Sequence, residues 1–426
     1  PRMAARWPPI RGGSLAGVGG GGMSGAAPQV LLAAGDRPAL AAQLLELWRQ
    51  GGTAAIAVPQ EQQDLRRVLP AAADPAWGPA VVLGSGGSLG ARHWCLQPLA
   101  HLQAAAAATA TWLRQQGLEP AATELFNPLP LQHVSGLMPL VRAEAWGVPL
   151  RWLAPELMRN PVRLAQAAPP SPARAALLSL VPTQLQRLLE QPEGVAWLRG
   201  FALIWVGGAA LPEALAERCR RAGLRLAPCY GSTETAALVA ALPPQRFLAG
   251  EGGCGEALPH ARLRLQPGSD ALEIRASSLA LGRLQGGHLV PLPLDQGWWC
   301  SGDRASLGAA GLTLLGRLDG AIQSGGETVF PEQVEQRLLA LAAAAQLPLV
   351  ELLLLSQADA LWGERLVALV RPQPGVDPDA LMAALTALAQ GLPASQRPLH
   401  WRHCPPLERS PAGKWERQRW RAWLQA

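Results

Sequence analysis

Lys414 is the single lysine in a chain with 37 Lys and Arg residues, and it lies in Ser410-Pro411-Ala412-Gly413-Lys414-Trp415-Glu416-Arg417. An ammonium is a compact point charge on a flexible stem, which suits bridging two oxygens in a narrow pocket better than a planar guanidinium fork does. The single tyrosine, Tyr230, opens a second stretch, Tyr230-Gly231-Ser232-Thr233-Glu234, directly after an apolar run. It offers an aromatic face for a flat ring, hydroxyls for phosphate oxygens and a carboxylate able to hold Mg²⁺. Those are the parts of a nucleotide site within five residues.

Three further stretches carry related chemistry. In Val81-Val82-Leu83-Gly84-Ser85-Gly86-Gly87-Ser88-Leu89-Gly90 an apolar strand pattern runs into a Gly/Ser loop whose amides and hydroxyls can cradle phosphate, with Arg92 and His93 just beyond. Ser301-Gly302-Asp303 presents a carboxylate on a predicted turn, suited to accepting both hydrogen bonds of a ribose diol. A Gly-rich loop is also an ordinary turn and such an Asp also a turn former, so neither decides anything alone. The longest stretch runs from Gly316-Arg317-Leu318-Asp319-Gly320 through Gly325-Gly326-Glu327 to Pro331. A Gly-Gly turn there joins two short strands, and Pro331 opens a helix where its missing N–H costs little.

These stretches need a scaffold of alternating strands and helices. Apolar runs at Ala80 to Leu83, Leu203 to Val206 and Leu224 to Pro228 predict buried strands. The periodicity of Pro38 to Arg49, Leu96 to Gln116, Pro182 to Glu190 and Pro212 to Ala222 predicts helices. The fold class expected is α/β, with helix-covered sheets in a large N-terminal domain over 29–318 and a small α+β domain over 319–426. Residues 252–316, rich in Gly, Pro and short strand patterns such as Ala261 to Leu265 and Ala271 to Ala276, predict a β-rich subdomain. Beyond it come a helix at Pro331 to Ala345, strands at Val350 to Ser356 and Arg365 to Arg371, and a helix at Pro378 to Leu392. Residues 1–28 contain no acidic residue and predict a disordered leader rather than a targeting peptide.

Composition narrows the partners. Hydrophobic residues make up 49% and charged residues 16%, yet the longest apolar run, Leu338 to Leu355, is broken by Gln346, Pro348 and Glu351, so no membrane span is expected. The net charge of +6 comes from scattered arginines without an aromatic-interleaved basic patch, which points to anionic small molecules and away from nucleic acid. The six cysteines form no CxxC pair, which excludes a zinc ribbon and fits a reducing, cytoplasmic setting.

Taken in this order, the stretches resemble the ANL superfamily of adenylate-forming enzymes over roughly residues 80–420, the group that holds acyl-CoA synthetases, carrier-protein adenylation domains and luciferases. The resemblance implies ATP, Mg²⁺ and CoA as cofactors and a small carboxylic acid as substrate. It implies that Ser85, Gly86, Gly87, Ser88 and Gly90 form a phosphate loop assisted by Arg92. Gly207-Gly208-Ala209 would border the adenine, Tyr230 would stack on it beside Gly231 and Ser232, Thr233 would bind the α-phosphate and Glu234 the Mg²⁺. Asp303 would grip the ribose, Arg317 would contact the nucleotide and Asp319 would be the hinge. Gly325, Gly326 and Glu327 would line the thiol channel after rotation, and Lys414 would span carboxylate and α-phosphate during adenylation. The chain departs from the pattern at one place: the phosphate loop normally ends in Pro-Lys, where Arg92-His93 stand here, and Leu89 replaces a hydroxyl residue.

For the acid, His133-Val134-Ser135-Gly136-Leu137 matches the superfamily's His-x-x-Gly position. Together with Leu180-Val181-Pro182-Thr183-Gln184-Leu185 it resembles the o-succinylbenzoate-CoA ligase branch, which acts on the way to menaquinone or phylloquinone. That implies a catalytic or gating His133 and a pocket with Ser135, Gly136, Thr183 and Gln184, although Thr183 and Gln184 equally suit capping the helix after Pro182. Two other expectations stay open: a stand-alone enzyme loading an acid onto a carrier protein, and a nucleotide-binding protein without catalysis. The sequence predicts no oligomeric state.

Overall fold

The computed structural model describes residues 26–86, 92–318, 320–410, 413 and 415–425, with Gly86 and Arg92 as backbone alone. Gly87, Ser88, Gly90, Asp319, Lys414 and residues 1–25 of the expected leader therefore lie outside the described residues.

Four sheets organise the molecule, and helices cover them as an α/β class requires. The first begins with parallel strands Gln29–Leu32, Thr53–Ala57 and Ala80–Gly86. Helix Arg37–Arg49 connects the first two: the Asp36 carboxylate accepts from the Ala39 N–H at 3.0 Å, and Leu40, Leu44 and Trp48 form the stripe it buries. Antiparallel strands Arg92–Pro98, Gly282–Gln285 and His288–Pro291 complete this sheet. The helix expected from Leu96 starts only at Leu99. Gln97, the residue before Pro98, is biased toward extended backbone, and Leu96 pairs with Val82 on one side and Gly282 on the other.

The second sheet has seven strands in the spatial order Glu256–Ala257, Ala237–Ala241, Leu226–Ser232, Leu203–Val206, Ala175–Leu180, Thr123–Asn127, Leu150–Trp152. The last five are mutually parallel. From Thr123–Asn127 the chain moves to one neighbouring position and then returns to fill the other, so the strand order reverses there. In open α/β sheets the crevice at the carboxyl ends of strands beside such a reversal is where ligands bind. Beneath it Phe126, Trp197 and Phe201 pack edge to face, with ring centroids 5.0 Å apart for Phe126–Phe201 and 4.6 Å for Trp197–Phe201.

The segment 252–316 is rich in strands, but they serve three sheets rather than one subdomain. Glu256–Ala257 edges the second sheet and the 282–291 hairpin completes the first. Only Ala261–Leu265, Ala271–Ala276, Leu294–Asp295, Trp298–Gly308 and Gly311–Arg317 make the third. Ser301-Gly302-Asp303 lies inside the long strand Trp298–Gly308, not on a turn. The irregularity that suggested a turn is the left-handed φ of +76° at Gly302 and a register shift at Arg304/Ala305.

The fourth sheet is built from Ile322–Ser324, Glu327–Val329, Leu349–Asp359, Gly363–Pro372 and His400–His403. Helices Pro331–Ala344 and Pro378–Ala389 cover it through Val334, Leu338, Leu381 and Leu385, packed on Leu352, Leu354, Leu366 and Ala368. Among the described residues no helix is long and apolar enough to cross a membrane.

Candidate active site

Side chains alternate between faces along a strand and directly paired residues share a face. The pairings Ser85↔His93, Leu83↔Cys95, Val81↔Gln97 and Cys95↔Arg283 therefore set Ser85, His93, Cys95, Gln97 and Arg283 on one face of the first sheet. That face looks onto the stretch Thr233-Glu234 at the end of the second. The Gln97 amide donates to the Thr233 carbonyl at 2.7 Å. Arg283 Nη2 donates to Glu234 Oε1 at 3.0 Å, with the Ser85 hydroxyl and Cys95 thiol at 3.4 and 3.5 Å from the same oxygen. Burial alone would raise the Glu234 pKa, but the backbone N–H, the Arg283 bond and charge and the Ser232 hydroxyl outweigh it, and the carboxyl is held below its ordinary value. Burial, and then the Glu234 charge, push the neighbouring Cys95 thiol up to about 12.

The loop that delivers Glu234 is held in a costly shape. Ala236 and Ala237 both take left-handed φ, 54° and 69°, at about 1–2 kcal/mol each for a residue with a Cβ. Thr235, fully buried, holds them there: its hydroxyl accepts from the Ser232 N–H at 2.8 Å and donates to the Ala237 carbonyl at 2.8 Å. Gly231 allows the return strand to cross closely, since a Cβ on it would lie 1.6 Å from the Ala237 oxygen.

Tyr230 joins the second sheet to the third. Its hydroxyl donates to Asp303 Oδ2 at 2.5 Å, while Arg317 Nη1 donates to Asp303 Oδ1 at 3.2 Å and to the Ser301 carbonyl at 3.2 Å. A Cβ at Gly302 would come within 3.0 Å of Arg317 Nη2, so the glycine leaves that guanidinium its place. The Tyr230 side chain packs with Val239, Ile274 and Trp299 and is only 7% exposed, leaving little ring surface open to a base. Burial first, then the Asp303 charge, raise its phenol pKa well above the ordinary value.

The remaining candidates gather at the carboxyl ends of the parallel strands. His133 precedes helix Val134–Trp146, with the half-buried Ser135 in its first turn. Gly136 is there for packing: a Cβ would lie 2.1 Å from the Pro130 oxygen, and the Asn127 amide donates to the Gly136 carbonyl at 2.7 Å. One strand away, Gln184 Oε1 accepts from the Val181 N–H at 3.3 Å, a helix-capping contact, and Thr183 is half-buried beside it. Gly207-Gly208-Ala209 follow the next strand, Gly207 donating to the Leu180 carbonyl at 3.2 Å and Gly208 taking a φ of +82°. Gly413, the residue before Lys414, sits over this crevice, a Cβ on it lying 3.4 Å from Val181 Cβ and 3.5 Å from Thr183 Oγ1. Gly325, Gly326 and Glu327 are not brought there. Gly325 and Gly326 form the two-residue turn of a hairpin, with φ of +60° and +83°, and Glu327 opens its second strand. The turn packs on Trp362, and Glu327 accepts from the Ser395 hydroxyl at 2.5 Å.

The AMP-binding enzyme family matches residues 32–271, more than half of the chain. This chain belongs to the AMP-binding enzymes. Among the relatives of the family, the 2-succinylbenzoate–CoA ligase of Escherichia coli (strain K12) is 33% identical over 298 residues, covering 70% of this chain and 59% of that protein. The chain therefore matches less than two thirds of that relative's length. A solved variant of E. coli MenE with bound OSB-AMS superposes with a TM-score of 0.73 at 26% identity, covering 95% of this chain and 88% of that one. The o-succinylbenzoate CoA synthetase of Bacillus subtilis, in complex with OSB-AMP, shares the fold with a TM-score of 0.75 at 18% identity, covering 93% and 88%.

Two residues of this family member escape a reading of motifs. Arg142 is 3% exposed, stacks over the Trp205 ring at 4.8 Å and leaves its Nε without a hydrogen bond; among the described residues no carboxylate pairs with it. Burial pulls its pKa down to about 10. It lies beneath the Gly207 loop, next to Cys229, whose sulfur is 2.8 Å from where a Gly207 Cβ would be. Its signal in the sequence is an arginine interrupting the apolar run Leu137-Met138-Pro139-Leu140-Val141 before Ala143. Arg283, the ion-pair partner of Glu234, has no such signal, because it reaches the site through strand pairing alone.

Proposed function

We propose that this chain is an AMP-forming acid–CoA ligase that activates o-succinylbenzoate and passes it to CoA, in a soluble biosynthetic setting upstream of a quinone. The observation that carries the substrate is Arg142. A buried guanidinium without an anionic partner is costly unless a ligand supplies the charge, and o-succinylbenzoate has two carboxylates, one to activate and one to anchor. The names of the E. coli relative and of the solved E. coli neighbour support the same acid.

In the first half-reaction a substrate carboxylate oxygen attacks the α-phosphorus of ATP, the bond to the bridging oxygen breaks and pyrophosphate leaves. Two negative groups must meet, so donors fixed in place before the reaction matter most. Thr233 and Ser85 face the phosphates, Gly207-Gly208-Ala209 border the base, and Asp303 with Arg317 hold the ribose. Lys414, following Gly413 at the crevice, spans carboxylate and α-phosphate. Among the described residues no group of three or more His, Cys, Asp or Glu could hold a metal alone, which fits a Mg²⁺ shared between one carboxylate and substrate phosphates. Glu234, buried and held ionised, is the residue that would hold it, and the ion would offset phosphate charge. In the second half-reaction the CoA thiol attacks the acyl carbonyl and AMP leaves. We assign the approach to Gly325, Gly326 and Glu327 after the C-terminal unit turns about Asp319, with His133 gating the acyl pocket that Ser135 and Thr183 line.

Steady-state kinetics test the anchor. Arg142→Met is expected to raise KM for o-succinylbenzoate at least about tenfold, or ~1.4 kcal/mol, with KM for ATP unchanged. A parallel rise in both constants would remove Arg142 from the acid pocket.

A further inference from the structure

The stretch from Gly84 to His93 contains one arginine and no lysine, although the β- and γ-phosphates of ATP carry most of its charge. Among the described side chains on this face, Arg283 is a fixed cation. It comes from strand Gly282–Gln285, far from the loop in sequence, and is brought in by pairing with Cys95. Its side chain is 33% exposed, so a ligand can reach it. Nη2 bonds Glu234, and Nε is buried with no hydrogen-bond partner. A guanidinium presents five N–H groups in a rigid fork that matches phosphate oxygens, and Glu234 engages one edge of it.

We infer that Arg283 supplies the pyrophosphate end of ATP with positive charge beyond the one arginine of the loop before His93, held ready by its ion pair with Glu234 and by its place beside Ser85. Chain-distant strand pairing thus does the work of a loop cation. The consequence is a division of labour within the nucleotide site: Asp303 and Arg317 act on the nucleoside, whereas Arg283 distinguishes ATP from AMP, because only ATP has oxygens where the guanidinium reaches. On the adenylating reading, on which this inference rests, it also steadies the departing pyrophosphate.

Isothermal titration of the full chain with ATP and with AMP, each in EDTA and in Mg²⁺, tests the assignment without relying on turnover. Arg283→Ala is expected to weaken ATP binding at least about tenfold while leaving AMP binding within about twofold, and Arg283→Lys to recover part of the loss. The unchanged AMP affinity also reports an intact fold. Equal weakening of ATP and AMP would make Arg283 a structural partner of Glu234 only and overturn the inference. So would Arg92→Ala reproducing the selective loss while Arg283→Ala shows none. Wild-type protein that binds neither nucleotide overturns the adenylating reading and this inference together, whereas wild-type ATP binding that ignores Arg283→Ala overturns this inference alone.

Discussion

Glu234 stays charged inside the protein because an arginine, a hydroxyl and a backbone N–H compensate for its burial. Glu234→Gln keeps the shape and removes the charge. ATP affinity of that variant in Mg²⁺ is expected to fall to the value measured in EDTA, with AMP affinity unchanged; Mg²⁺ dependence equal to wild type would take the metal away from Glu234. Lys414→Ala is expected to slow adenylation about 10²- to 10³-fold while sparing thioester formation from supplied acyl-AMP, and equal loss of both half-reactions would contradict separate roles for the two faces of the C-terminal unit. Tyr230 was legible in the sequence as a rare residue type within a chemically suited run, and the structure joins it to Asp303, although with its ring buried. Arg283 was not: its bond to Glu234 spans 49 positions and depends on two strand pairings that no local pattern encodes.

The loop after strand Leu226–Ser232 concentrates strain where the carboxylate is presented. Thr235→Val deletes the hydroxyl that keeps Ala236 and Ala237 in left-handed backbone. It is expected to cost about 1–3 kcal/mol of stability and to weaken Mg²⁺-ATP binding, both readable by chemical denaturation and titration of one sample. Wild-type stability in that variant would show that the loop holds itself without the hydroxyl. Strands such as Leu203–Val206, Ala261–Leu265 and Ala271–Ala276 are where their apolar runs and turn residues put them. Leu96 and Gln97 were misread because a strand ending at a proline leads straight into a helix, so one apolar periodicity covers both. The turn expected at Asp303 is a glycine irregularity within a strand, and two residues of Gly and Ser cannot distinguish those cases.

At the scale of the molecule, composition and alternation revealed the α/β class, but the sharing of strands 282–291 with the first sheet was hidden, since partners far apart in sequence leave no periodicity. Just before that hairpin, Ser278 lies 3.0 Å from His260 Nε2 and donates to the Thr235 carbonyl at 2.8 Å. Burial, and then the Arg142 charge, lower the His260 pKa from 6.5 to about 4. A base depressed in the fold costs nothing while it is neutral above its ordinary value, and as pH falls from 6.5 toward 4 protonation of the unfolded chain costs roughly 3 kcal/mol of stability. His260→Asn is therefore expected to lose less thermal stability than wild type between pH 7 and pH 4.5 in the same buffer series, and identical pH profiles would exclude His260 as the source. The central claim concerns the acid and the thiol. It is tested most directly by pyrophosphate release from ATP and Mg²⁺ with a panel of carboxylic acids, with and without CoA, and mass detection of the product. The account predicts o-succinylbenzoyl-CoA from o-succinylbenzoate only when CoA is present. An adenylate that never passes to CoA, or turnover with other acids and none with o-succinylbenzoate, would contradict it.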